Sequence, residues 1–397
     1  MTTGPSRQRP SLAFRTVTWV LALATLVVLA WGCVHVSEDP VVLGRYSRSY
    51  ALLLSSIMVV AGVLLAAVLR PRLGLSRALA NAYLLVGTTL VTLIAVEIGL
   101  RVINPWGIEF FHTLPYHMQG MVNHPVLGYV HPKSVSESLG KNTVSLNSHG
   151  LRNEEFPIAK PAGESRILVL GDSVAFGWGV SQGETFSARM EPLLKARTGH
   201  RWRVINAGVN GYNSEQEANW LRLFGLAFQP DVVLLVYVVN DVDPIFDPNR
   251  TTWRRYPTWP DSLPELLERV RSLSFLFQMT KLMQRAREIA QSPITTSITA
   301  HPNWPASRAA LVDIAAHCKA AGIPFLVASN DIHDPAFLRE LAGFGIPAIE
   351  LEPAWQKVPP ERQTVSRVDP HPGPAVHAEM AALLVHDIAR RGWLGTH

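Results

Sequence analysis

Two hydrophobic patterns divide the chain near residue 104. Before that position, long apolar runs lie at about 16–34, 50–69 and 78–100. The first two runs contain no charged residue, and the third contains only Glu97, near its end. Each run is about as long as the roughly 20 residues that an α-helix needs to cross the hydrocarbon core of a bilayer. We therefore expect residues 1–104 to form a membrane anchor with three transmembrane helices.

The positions of the arginines predict how such an anchor would be oriented. Arginines collect before the first run, and others crowd the short segment 70–77 between the second and third runs. Lys and Arg are enriched in the cytoplasmic loops of membrane proteins. The pattern predicts a multi-pass protein of the cell membrane, with the lipid bilayer as a partner and everything after Arg101 on the extracytoplasmic side.

Residues 105–397 show a different pattern, in which short apolar runs alternate with helical periodicity. Such alternation predicts one α/β domain whose parallel sheet is covered by helices on both faces. The five expected strands lie at 166–170, 203–206, 231–239, 323–329 and 346–351, and the expected helices at 184–198, 214–228, 305–321, 335–344 and 374–391. An insertion at about 244–304 interrupts the alternation. Its middle has an amphipathic, basic pattern, which suits a helix packed on the domain or one lying on anionic lipid headgroups.

Composition excludes several classes of protein. Hydrophobic residues make up 48% of the 397 residues and charged residues only 17%, which is too apolar for a disordered chain. Two cysteines, Cys33 and Cys318, cannot form a disulfide scaffold or a Cys-based zinc cluster. The net charge of +5 is mild and comes with no nucleic-acid-binding motif, so no nucleic-acid partner is expected. Neither a metal nor another cofactor is expected.

Polar residues with catalytic chemistry follow several of the predicted strands. Gly171-Asp172-Ser173 comes after the first strand, 206–212 (Asn-Ala-Gly-Val-Asn-Gly-Tyr) after the second, and Asn240-Asp241 after the third. Asp369-Pro-His371 stands just before the last helix. Sites in open α/β sheets form beyond the carboxyl ends of the strands. A serine hydroxyl needs a base such as histidine to become a nucleophile, and a carboxylate can orient that histidine.

Together, in this order, these blocks resemble the SGNH (or GDSL) hydrolase family over about 147–393. The resemblance implies a flavodoxin-like three-layer sandwich. It implies that Ser173 is the nucleophile, His371 the general base and Asp369 the acid that orients it. It also implies an oxyanion hole formed by the Ser173 and Gly211 backbone N–H groups and the Asn240 side chain. The segment 147–153 (Asn-Ser-His-Gly-Leu-Arg-Asn) looks like the lead-in of membrane-anchored bacterial members.

The sequence departs from the family pattern at several points around the proposed site. Only Pro370 separates Asp369 from His371, where two residues often intervene, so a Ser–His dyad supported by a backbone carbonyl is an alternative to a triad. Val239 stands where a glycine usually precedes the oxyanion-hole asparagine. The nearby His377 is expected to be a helix-face residue rather than the base.

The expected function is that of a membrane-anchored serine esterase or O-acyltransferase that works through an acyl-enzyme. The leading substrate is an acylated carbohydrate, specifically an O-acetyl group of an envelope or exported polysaccharide, as the resemblance to anchored members implies. The alternatives are a lipid esterase and a catalytically inactive domain that binds glycan or scaffolds an export complex.

Overall fold

The computed structural model describes residues 12–32, 51, 54–59, 61–62, 76–102, 117, 120–139, 142–244, 297–330, 334–366 and 369–394. The chain divides into two compact units, and the helices before residue 103 belong to the first of them. The described residues from 117 onward belong to the second unit. Residues 103–116 and most of the insertion expected at about 244–304 lie outside the described residues.

The first unit contains two long helices, α1 (Leu12–Gly32) and α2 (Ser76–Val102). Within the described part of the chain, no helix combines the length and the apolar character that crossing a membrane requires. The transmembrane helices expected at 16–34, 50–69 and 78–100 are therefore not found there. Residues 33–34 and much of 50–69 lie outside that part.

The second unit is built on a five-stranded parallel sheet in the order β6-β5-β7-β8-β9. This is the flavodoxin-like order, in which the first strand lies between the second and the third. In chain order the elements are β1 (Val122–His124), β2 (Gly128–Val130), β3 (Val135–Leu139), β4 (Asn142–Leu146), β5 (Glu164–Gly171), α3 (Ser173–Phe176), α4 (Phe186–Thr198), β6 (Arg201–Asn206), α5 (Ser214–Leu223), β7 (Val232–Tyr237), α6 (Trp304–Ala320), β8 (Phe325–Ser329), α7 (Pro335–Gly343), β9 (Ala348–Glu350), α8 (Glu352–Gln356) and α9 (Pro374–Arg390).

Alternating residues of the strands form two apolar layers, one on each face of the sheet. Leu168 and Leu170 of β5 belong to a buried cluster with residues of α5, α6 and α7. Ile167 and Val169 of the same strand belong to a second cluster with residues of α4, α8 and α9. Because side chains alternate across a strand, an uninterrupted apolar run supplies both layers. The predicted parallel sheet with helices on both faces is confirmed.

Two antiparallel hairpins precede the sheet, β1 with β2 and β3 with β4. The first hairpin attaches to the loop after β6, since Tyr129 of β2 donates its hydroxyl to the Asn210 carbonyl at 2.8 Å. The helix expected at 214–228 ends at Leu223 and is followed by a short turn, Gly225–Phe228. A side chain at Gly225 would collide with Leu168 at 2.8 Å, so this turn must approach the sheet closely.

Candidate active site

The residues that the sequence assigned to the site lie beyond the carboxyl ends of β5, β6 and β7 and in one later loop. Ser173 follows β5, Gly211 lies in the loop after β6, and Asn240 lies in the turn after β7. β5 has β6 on one side and β7 on the other, so successive connections leave in opposite directions and open a crevice there. Asp369 and His371 belong to the loop before α9.

The backbone turns sharply between β5 and the short helix α3. Gly171 has a φ of +142°, and a Cβ at this position would lie 2.9 Å from the Val236 carbonyl oxygen. Glycine meets both demands, because it lacks a Cβ and tolerates positive φ. Asp172 then caps α3, since its Oδ1 accepts a hydrogen bond from the Val174 N–H at 2.9 Å. The turn therefore fixes Ser173 as the first residue of α3.

A continuous hydrogen-bonded chain joins Ser173, His371 and Asp369. Ser173 Oγ lies 2.8 Å from His371 Nε2, and His371 Nδ1 lies 2.5 Å from Asp369 Oδ1. The same carboxylate oxygen accepts the His371 backbone N–H at 3.1 Å. The Asp369 side chain is 2% exposed and that of His371 20%. A buried carboxylate thus holds an imidazole that is partly exposed and contacts the Ser173 hydroxyl.

The loop that carries His371 is held in place by its own hydrogen bonds and by close packing. The Val365 N–H donates to the His371 carbonyl at 2.9 Å, and Ser366 Oγ accepts the Asp369 N–H at 3.1 Å. A Cβ at Gly179 would lie 2.6 Å from the Val365 side chain. The turn after α3 therefore lies directly against the histidine loop, which ties the base to the nucleophile.

The two remaining oxyanion-hole candidates lie in loops that are linked to each other. Gly211 has a φ of +76°, in the left-handed region that favours glycine. The Asn240 side chain lies near the Asp172 carboxylate and lowers the pKa of that group, against the larger effect of burial. Asn213 Nδ2 donates to the Asp243 carbonyl at 2.8 Å, so the loop after β6 and the turn after β7 are joined. The chain thus brings Asn240 next to the residue that precedes Ser173.

Three buried carboxyl groups lie on this side of the domain, and hydrophobicity patterns did not reveal them. Burial raises the pKa of Asp172, while hydrogen bonds from the Val174 N–H and other neighbours oppose the rise. Burial raises the pKa of Glu217 and of Asp241 well above the ordinary carboxyl range, and mutual repulsion among these carboxyls adds to the effect. The uncharged acids are therefore favoured at Glu217 and Asp241.

His377, four residues from the N-terminus of the predicted last helix, is part of the core. Its Nδ1 accepts the N–H of Phe186, the first residue of α4, at 3.2 Å. Burial lowers the pKa of His377 to about 3. It therefore stays neutral and supports a helix N-terminus, whereas His371 is the histidine that contacts Ser173. Among the described residues, no group of three His, Cys, Asp or Glu side chains is arranged to hold a metal ion.

The role of Asp172 as the cap of α3 was not predicted from the sequence. An Asp directly before the first residue of a helix is a capping signal, and this signal could have identified it. Sequence reasoning also assigned no role to Arg152, whose guanidinium is buried among backbone carbonyls near α3. Nothing in the sequence around Arg152 indicates which distant carbonyls it reaches.

Comparison with known protein families and solved structures matches the part of the chain that carries this candidate site. The profile of the GDSL-like Lipase/Acylhydrolase family matches residues 169–378, more than half of the chain. No curated protein matches at a significant level.

Similar solved structures include a GDSL-like lipase from Bacteroides thetaiotaomicron, with 15% identity, 57% of this chain and 89% of that chain covered, and a TM-score of 0.32. A lipase/acylhydrolase from Enterococcus faecalis is 16% identical, covers 57% of this chain and 96% of its own, and has a TM-score of 0.33. A two-domain esterase active on acetylated mannans is 15% identical, and the match covers 58% of this chain and 50% of that chain with a TM-score of 0.35.

Proposed function

This chain belongs to the GDSL-like lipase/acylhydrolase family, whose members act on esters, and from that premise we propose that it is a serine esterase or O-acyltransferase working through an acyl-enzyme on Ser173. The observation that carries the proposal is the hydrogen-bonded chain from Ser173 Oγ through His371 to Asp369, with distances of 2.8 and 2.5 Å.

The proposed reaction has two steps. Ser173 Oγ attacks the ester carbonyl while His371 Nε2 takes the hydroxyl proton, and Asp369 stabilises the imidazolium that results. The oxyanion is stabilised by the N–H groups of Ser173 and Gly211 and by the Asn240 amide. His371 then returns the proton to the leaving alcohol. Water, or the hydroxyl of an acceptor carbohydrate, gives its proton to His371 and displaces the acyl group from Ser173, whose oxygen then takes that proton back from His371.

The substrate that we propose is an O-acetyl group on an envelope or exported polysaccharide. The resemblance to membrane-anchored bacterial family members supports it. A lipid ester is the alternative, and trapping of the acyl-enzyme decides between the two substrate classes.

The experiment is acyl-enzyme trapping. The full chain is incubated with acetylated glycans and, separately, with lipid esters, quenched in acid and read by mass spectrometry. We expect one acetyl adduct on the peptide containing Ser173, and labelling of the same residue by a fluorophosphonate probe. Ser173→Ala should lose both signals, whereas Ser136→Ala, at an exposed serine of β3, should keep them. An unlabelled, inactive wild-type protein would favour the glycan-binding or scaffold alternative.

We also propose that the chain is anchored in the cell membrane by residues 1–104 and that the second unit lies on the extracytoplasmic side. The apolar runs and the arginine distribution support this placement, so the proposal rests on the sequence alone. Alkaline phosphatase fused after Trp393 should be active, and a fluorescent protein that matures only in the cytoplasm should be dark at the same position. The opposite pair of results would reverse the orientation.

A further inference from the structure

The segment 147–153, which the sequence singles out before the first sheet strand, folds into a tight loop with no part in the acyl-transfer steps. Asn147 organises it, because its Oδ1 accepts the N–H groups of His149 and Leu151, each at 3.0 Å. The Asn147 carbonyl accepts the N–H of Gly150 at 2.9 Å, and Gly150 has a φ of +78°. The loop is thus rigidly closed, and it presents the last two residues of the segment to the domain.

Arg152 reaches from this loop to the C-terminal end of α3, the helix that begins with Ser173. Its Nη1 donates to the carbonyls of Phe176 at 3.0 Å and Gly177 at 2.5 Å. Its Nη2 donates to the Val180 carbonyl at 2.6 Å. Only 3% of Arg152 is exposed. Burial lowers the pKa of this guanidinium to about 10, so it keeps its charge at neutral pH.

Asn153 reaches from the same loop to the end of β6, where the loop that carries Gly211 begins. Its Oδ1 accepts the Asn206 N–H at 2.8 Å, and its Nδ2 donates to the Val204 carbonyl at 2.8 Å. Asn206 in turn accepts the Gly208 N–H at 3.1 Å and donates to the Phe176 carbonyl at 3.3 Å. The Arg152 and Asn153 side chains therefore hold both α3 and the loop after β6 in place.

α3 has only four residues, so its position depends on what holds its two ends. Asp172 holds the N-terminal end, and Arg152 satisfies carbonyls at the C-terminal end, where a positive charge also interacts favourably with the helix dipole. A displacement of a reacting group by about 1 Å can cost roughly 10²-fold in rate. Small movements of this helix would change the distance from Ser173 Oγ to His371 Nε2.

We propose that Arg152 and Asn153 are positioning residues for the esterase reaction: they hold the Ser173 helix in register with the loop that supplies the Gly211 N–H. The inference rests on the proposed function, since register matters only if Ser173 and Gly211 act on one acyl group.

A purely structural role is the competing interpretation, and the chain offers a matched control for it. Arg166 is also fully buried, and it donates to the carbonyls of Ile158 at 2.6 Å and Phe228 at 2.9 Å. It lies in the amino-terminal half of β5, whereas Ser173 follows the carboxyl end of that strand. A lysine at either position keeps the charge but loses the planar fork that serves several carbonyls at once.

The experiment compares Arg152→Lys with Arg166→Lys in the full chain. For each variant, kcat and KM on a small activated acetate ester, the fluorophosphonate labelling rate and the unfolding temperature are measured. We expect Arg152→Lys to lower kcat and the labelling rate by about 10- to 100-fold with KM within about twofold of wild type. Both substitutions should lower the unfolding temperature by a similar amount. Arg166→Lys should nevertheless keep kcat within about twofold of the wild-type value.

A second pair of variants keeps the test decisive if Arg152→Lys does not fold. Asn153→Ala should lower kcat with little change in KM, and Asn153→Asp, which keeps the acceptor for the Asn206 N–H, should recover part of the loss. If Arg152→Lys or Asn153→Ala keeps wild-type kcat and labelling rate, the positioning role is wrong. If the wild-type protein itself neither hydrolyses the ester nor labels at Ser173, the proposed function has failed instead.

Discussion

At the scale of single residues, the contact between Asp369 and His371 answers a question that spacing left open. One intervening residue, Pro370, was expected to weaken direct orientation of the imidazole. The structure has Asp369 Oδ1 at 2.5 Å from His371 Nδ1 and 3.1 Å from the His371 backbone nitrogen. The short spacing thus lets one carboxylate oxygen serve both groups, which favours a triad over a dyad.

The test of that triad is Asp369→Asn. An amide at this position can hold the wrong imidazole tautomer, and in the serine-protease example this costs about 10⁴ in turnover. We expect a loss of that order, measured as kcat on an activated acetate ester. Asp387→Asn, at a buried carboxylate that pairs with Arg390 and Arg391 at the end of α9, is the control. A loss of about tenfold or less in Asp369→Asn would instead favour a dyad.

The Asn240 amide is the second residue whose proposed role can be isolated. Asn240→Ala should lower kcat by about 10²–10³ with little change in KM, because the donor acts on charge that develops only in the transition state. Asn240 also lies near the buried Asp172 carboxylate, so the unfolding temperature must be measured alongside kcat. Activity within a few-fold of wild type, or loss of the fold, would make Asn240 a structural turn residue.

Candidates for the nucleophile, the base and the oxyanion hole could be named from the sequence because their residue types and order match the pattern of a family. What could not be identified is how they are held. The partners of Arg152 are backbone carbonyls of residues 176, 177 and 180, and carbonyls carry no sequence signal. Contacts of this kind depend on the path of the chain, which only the structure gives.

At the scale of secondary-structure elements, the closest approach near the site is between α3 and the loop after β6. A Cβ at Gly208 would lie 2.2 Å from the Phe176 nitrogen, so a side chain there must push the helix and the loop apart. Gly208→Ala should therefore lower stability by about 1–3 kcal/mol and also lower kcat. Gly183→Ala is the control, because a Cβ at Gly183 meets nothing within 4 Å. Wild-type activity and stability in Gly208→Ala would show that α3 and the loop after β6 can separate without cost.

The strands were predictable because buried parallel strands are continuous apolar runs, as in 232–237, where every residue is buried. Helix ends were less predictable. The apolar pattern continues past Leu223, but α5 stops there, since Gly225 must approach Leu168. A tertiary contact thus sets the end of α5, and the periodicity of apolar residues does not predict it.

At the scale of the whole molecule, the α/β sandwich follows from the alternation of elements, whereas its buried carboxyl groups do not. Glu217 lies on α5 with a polar side chain and faces the interior, and both of its carboxylate oxygens lack a hydrogen-bond partner among the described residues. Hydrophobicity analysis places such a residue on the surface. Its burial makes the stability of the domain depend on pH.

Protonation of Glu217 links the stability of the domain to pH. Burial and the charge of Asp172 raise the pKa of Glu217 well above its ordinary value of 4.5. A carboxyl with a raised pKa binds its proton more tightly in the folded state, so its contribution to stability is complete below pH 4.5 and is lost as pH rises through the folded-state pKa. Glu217→Gln removes the titration, so its unfolding free energy should fall less steeply than that of the wild type as pH increases.

Urea denaturation across a pH series measures the effect. Glu215→Gln, in the same turn of α5 but partly exposed, should keep the wild-type slope. Asp241 is buried close enough to repel Glu217 and has its own raised pKa, so part of the slope should remain in Glu217→Gln and should become smaller again when Asp241→Asn is added. Parallel curves for wild type and Glu217→Gln would mean that Glu217 is no more protonated in the folded domain than in the unfolded chain.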